Sequence, residues 1–101
     1  MTITNLWTEH SKTVFPESYA GKDVNGVCLT SLDTYAAGCI STYIQQNRKS
    51  IDFERYQVLQ KCKANLEEVL PDLTGEARMY FIRLHGMCCI IITEVDSVNR
   101  P

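Results

Sequence analysis

Residues 75–95 read GEARMYFIRLHGMCCIIITEV, and the spacing of their apolar side chains decides the fold. Ala77, Phe81, Leu84, Cys88, Ile91 and Val95 recur at steps of three and four, which sets them on one side of an α-helix. Met79, Ile82, Gly86, Cys89, Ile90 and Thr93 fall roughly 180° away at about 100° per residue, so the same helix carries a second apolar face. Thr74 stands where an N-cap is needed, and Glu76 lies in the first turn, where a carboxylate meets the positive end of the helix dipole. A helix apolar on two sides must be covered on two sides, by the rest of a small domain or by a second chain.

The stretch before it supplies the first cover. Leu59, Cys62, Leu66, Val69 and Leu73 repeat every three or four residues, while Glu54, Gln57, Lys61 and Glu68 fill the other side. This predicts a helix with one apolar face, from a cap at Ser50 or Asp52 to about Leu70. Lys63 and Glu67 are one turn apart and can pair. Pro71 removes a backbone donor and biases Leu70 away from helical geometry, so the chain should turn there. With so short a linker, the two helices are expected to form an antiparallel hairpin.

Further upstream, Thr30 or Ser31 can cap a helix that runs to about Asn47, with Asp33 in its first turn. Its apolar side is Leu32, Ala36, Cys39, Ile40, Tyr43 and Ile44, and the opposite side, Thr34, Gly38, Ser41 and Gln45, reads as a solvated face. Asn47 to Ser50, with the Arg48-Lys49 pair, form a polar break. In the first 29 residues Ile3, Leu6, Trp7, His10 and Val14 have helical spacing, but Thr and Asn are frequent and helix propensity is poor. A short helix before Pro16 is compatible with that, and Val24-Asn25-Gly26-Val27 has the form of a tight hairpin. The expectation is one all-α domain over residues 1–101: an irregular or shortly helical segment over 1–29, then a core over 30–96. That core is a small bundle of three long helices, an antiparallel hairpin plus one packed helix, with the last helix central.

The 101 residues, 45% hydrophobic and 22% charged, suit a single globular domain with one modest core. Net charge is −2 and the ten Lys and Arg are scattered, so there is no basic face of the kind that binds nucleic acid or an anionic membrane surface. Met1 to Lys12 holds Asn5, Glu9 and His10 and does not read as a secretory signal, and the apolar run Met87 to Ile92 is too short for a bilayer, which needs about 20 residues. Five cysteines, at 28, 39, 62, 88 and 89, lack the spacing of a disulfide framework. They are expected to be reduced thiols of a cytoplasmic protein.

Few residues are arranged for chemistry. His85, Cys88 and Cys89 are the densest group of metal-ligand types, but Cys88 and Cys89 diverge by about 100° and no Cys-x-x-Cys or His-x-x-x-His completes a zinc site. The thiols are read as small buried groups, with His85 at the core margin and no metal or cofactor bound. A Cys-His nucleophile would need a cleft and an oxyanion-binding donor pair that the sequence does not display. Glu94 and Asp96 read as exposed charges near a helix end, and Tyr35, Phe53 and Tyr56 as aromatics packed under neighbouring loops.

These readings lead to a non-enzymatic helical protein–protein interaction module of the inhibitor, adaptor or immunity type. The alternative is a small enzyme or cofactor-binding bundle using His85, Cys88, Cys89 and Cys39 or Cys62. The expected interface is Met79, Ile82, Gly86 and Ile90 on the second face of the last helix. Burying one such side chain is worth about 1.5 to 3 kcal/mol, a driving force that a small domain rarely leaves unused. Two covers are open, the N-terminal segment with Trp7, Val14, Phe15 and Leu29, or the same helix of a second chain; the irregular spacing of the N-terminal residues favours the homodimer.

Overall fold

Helices α3 (Phe53–Val69) and α4 (Gly75–Asn99) form the expected hairpin in the computed structural model, which describes residues 2–46 and 51–99. The Leu70 carbonyl accepts from Arg78 Nη1 at 3.1 Å, Glu67 meets His85 at 2.9 Å, and the Tyr56 hydroxyl donates to Asp96. Partners descend along one helix as they climb the other, so the pair is antiparallel. Asp52 caps α3 by accepting from the Arg55 amide at 3.2 Å. Leu59, Cys62, Leu66, Val69 and Leu73 are all buried, as their spacing requires. Lys63 and Glu67 pair at 3.0 Å.

The turn between them is built differently from expectation. Leu70 keeps helical angles, φ −54 and ψ −40, and leads into a short 3-10 turn, Leu70–Asp72. Pro71 sits in the first turn of that element, where its missing donor has no partner to lose. The chain turns out of helical geometry only at Leu73. Gly75 then re-enters at φ +61, a left-handed angle that a side chain would oppose.

α2 (Leu29–Gln45) packs against α3 and α4. Asp33 reaches Tyr80 and Tyr43 reaches Glu94, so α2 climbs in the same direction as α4. Leu32, Ala36, Cys39, Ile40 and Tyr43 are buried, while Thr34, Gly38 and Gln45 are exposed. The cap is not Thr30 or Ser31: Leu29 already opens the helix, with Cys28 at the cap position. The Thr30 hydroxyl is instead used from outside, accepting from the Gly21 amide at 3.0 Å. The predicted end at Asn47, the break through Ser50 and the Arg48-Lys49 pair lie outside the described residues.

The N-terminal segment is more ordered than its propensity implies. α1 (Ile3–Lys12) is capped by Thr2, whose side chain accepts from the Asn5 amide, and the hydroxyls of Thr8, Ser11 and Thr13 donate back to carbonyls one turn earlier. Packing overrides propensity here, because Ile3 and His10 are buried with Leu6 and Trp7 against the core. Strands β1 (Asp23–Val24) and β2 (Val27–Cys28) pair antiparallel around Asn25 and Gly26, at φ +52 and +79, the backbone of a type I′ turn. Asn25 Nδ2 ties this hairpin to the end of α3, donating to the Glu68 carbonyl and to Asp72. The all-α class stands, with a fourth packed helix, α1, in the segment expected to be irregular or shortly helical. One hydrophobic core, from Ile3 to Ile91, takes residues from all four helices, and α4 touches each of the other three.

Candidate functional site

The two faces of α4 have different fates. Ala77, Phe81, Leu84, Cys88 and Ile91 are buried, and the covered arc is widened by Tyr80 and Met87, which neither stripe included. α1 and the segment after it account for much of that widening: the His10 ring lies tilted against Tyr80 with centroids 4.4 Å apart, and Phe15 meets Tyr80 and Phe81 edge-on at 5.6 and 5.9 Å. The N-terminal cover does not extend over the second face. Met79 is 70% exposed and Ile82 45%, and a Cβ placed on Gly86 would meet nothing within 4 Å. At about 100° per residue the second face runs through Cys89, Ile82, Thr93, Gly86, Met79 and Ile90 without a charge; Ile82, Thr93 and Met79 are exposed, while Cys89 and Ile90 at its margins are half-buried, Ile90 packing against the core. Arg78 and Asp96 share the edge of this face beside α3, and Arg83 marks the other edge.

His85 and Cys89 do come together, at the seam of α3 and α4, but Cys88 does not join them. Cys88 is fully buried in the core, where burial pushes its thiol far up. His85 Nε2 lies 2.9 Å from Glu67, whose carboxyl is held below the ordinary range first by His85 and then by Lys63. Cys89 Sγ lies 3.6 Å from Nε2 and 3.8 Å from Nδ1, almost equidistant and therefore in line with neither lone pair. Burial also raises the Cys89 thiol, so this row lacks both the aim and the acidity of an activated nucleophile. Cys39 and Cys62, the other thiols considered for chemistry, are buried, and burial raises both, Cys62 to about 11. Among the described residues no three His, Cys, Asp or Glu side chains are placed to hold a metal ion.

A second polar cluster escaped the sequence reading. Asp33 Oδ1 takes the Tyr80 hydroxyl at 2.9 Å and faces His10 Nε2 at 3.3 Å, joining α1, α2 and α4 in one part-buried knot. Desolvation, and then the bond to Asp33, push the Tyr80 hydroxyl up. His10 Nδ1 is buried without a hydrogen-bond partner. His10 carried only a helical-spacing signal, and Asp33 only a first-turn one, since nothing in the sequence places residues 10, 33 and 80 together. Glu94 and Asp96 are likewise half-buried acceptors for Tyr43 and Tyr56 rather than free surface charges. Tyr35 and Phe53, expected under loops, are 63% and 72% exposed.

Tyr35 borders a cleft of about 530 Å³ between the β-hairpin, α2 and α3 that also includes Cys28, Val58 and Lys61. The Ser31 hydroxyl and amide draw the Cys28 thiol below its ordinary value. Among the described residues no helix is long and apolar enough to cross a membrane. Comparison with family models, with curated proteins and with solved structures finds no match for this chain.

Proposed function

We propose that this chain is a non-enzymatic interaction module of the inhibitor, adaptor or immunity type, and that it pairs with a second copy of itself through the second face of α4. The supporting observation is the exposure of Met79 and Ile82 on a helix whose other face is sealed. An uncharged face offers no handle to a strongly charged partner, whereas one patch used twice about a two-fold axis is matched to itself. Gly86, with open space around it, lets two helix backbones approach closely at the centre of that patch. The five free thiols suit a reducing, cytoplasmic setting in the same reading.

Light scattering across a dilution series tests the proposal. The wild-type chain should be a dimer that dissociates on dilution, while Gly86→Leu and Ile82→Glu should be monomeric with unchanged helical circular dichroism. A wild-type monomer at every concentration would overturn it.

A further inference from the structure

Arg78 and Asp96 lie on the same edge of the uncovered face, eighteen positions apart, which is about five turns and about 27 Å along the helix. Arg78 is exposed and spends one donor on the Leu70 carbonyl, out of the five that a guanidinium carries. Asp96 is half-buried and takes the Tyr56 hydroxyl on one oxygen, Oδ1. Among the described residues Arg78 has no carboxylate partner within its own chain. The face thus ends in a cation at one extremity and an anion at the other, with an uncharged centre.

Resting on the pairing proposed above, we infer that two copies meet with their α4 helices antiparallel, about a two-fold axis level with residue 87, so that Arg78 of each copy lies beside Asp96 of the other. A two-fold axis perpendicular to both helices keeps each edge on its own side and reverses the order along it. Residue 78 of one copy then comes level with residue 96 of the other, and the pair is made twice. The same axis passes beside Gly86, where the backbones can come closest. It also levels Lys63 with Glu67 of the other copy, because α3 runs antiparallel to α4 and sets Glu67 against His85. A parallel pairing, about an axis along the helices, would instead carry the two edges to opposite sides of the interface, so that the edge with Arg78 and Asp96 meets the Arg83 edge of the other copy and no Arg78–Asp96 pair forms.

Sedimentation equilibrium on Arg78→Asp, Asp96→Arg and the double variant tests this arrangement. Each single reversal turns two attractions into two repulsions and should weaken the dimer roughly tenfold at low salt, less at high salt, and the double variant should recover it. A wild-type dimer indifferent to both single reversals would overturn the antiparallel register while leaving the pairing intact. A wild-type monomer would overturn both. As a second readout, Arg78→Cys and Asp96→Cys chains are mixed, oxidised and mapped by mass spectrometry. A 78–96 disulfide supports the register, and 78–78 with 96–96 disulfides contradict it.

Discussion

Leu84 and Ile82 are two residues apart on α4 and face opposite ways, so truncating each to Ala separates the sealed face from the open one. Leu84 is fully buried in the core. Its removal loses the transfer energy of the deleted carbons and leaves a cavity, a cost of about 2 to 5 kcal/mol. With a urea slope of about 1 to 3 kcal/mol per molar for a small domain, a mid-range loss lowers the unfolding midpoint by roughly 1 to 3 M. Ile82 is already 45% exposed, so its truncation gives up only part of a burial and costs roughly 1 kcal/mol or less in the monomer. The assay is urea unfolding followed by circular dichroism, first in dilute solution and then over rising chain concentration. Pairing adds stability by mass action, about 1.4 kcal/mol per mole of dimer for each tenfold in concentration. The Leu84→Ala loss should therefore be present at every concentration, while the Ile82→Ala loss should grow as the wild type associates. Equal midpoint shifts for the two variants in dilute solution would refute the assignment of inner and outer faces.

Tyr80→Phe leaves the half-buried Asp33 short of one donor and should cost about 1 kcal/mol in the same assay; an unchanged midpoint would contradict the role given to that bond. Glu67 is held below its ordinary carboxyl value of 4.5, so its contribution to stability is present above about that pH and is lost as pH falls through the lower, folded value. An NMR titration should find its midpoint depressed in the wild type and raised in His85→Ala, and an unmoved midpoint would count against the pair. Iodoacetamide at mildly alkaline pH should label Cys28 first, since Ser31 draws its thiol down while burial pushes the other four up. Ser31→Ala should slow that labelling, and faster labelling of Cys89 than of Cys28 would contradict the ordering.

The long helices were legible because each repeats an apolar residue every three or four positions over several turns, a signal that survives errors at the ends. The ends themselves were less so. Cys28 rather than Thr30 stands at the start of α2 because the strand feeds straight into the helix and Gly21 engages the Thr30 hydroxyl, a long-range contact with no local signature. α1 shows the opposite case, where poor propensity is overruled by burial of Ile3 and His10 against the core. The Asn25-Gly26 turn was readable because only a few residue types accept its left-handed angles. The second face of α4 was visible as a pattern, but which side the N-terminal segment would cover depended on where Phe15 and His10 land in space. The Asp33, Tyr80 and His10 knot was invisible for the same reason, since it joins three helices through single side chains.

Isotope-filtered NMR on an equal mixture of labelled and unlabelled chains tests the central claim most directly. Contacts between copies should appear from the methyl groups of Met79, Ile82 and Ile90, and should be absent from those of Leu84 and Ile91 in the core. A spectrum without intermolecular contacts at Met79, Ile82 and Ile90, at concentrations in the millimolar range, would contradict the claim that this face is where one copy meets another.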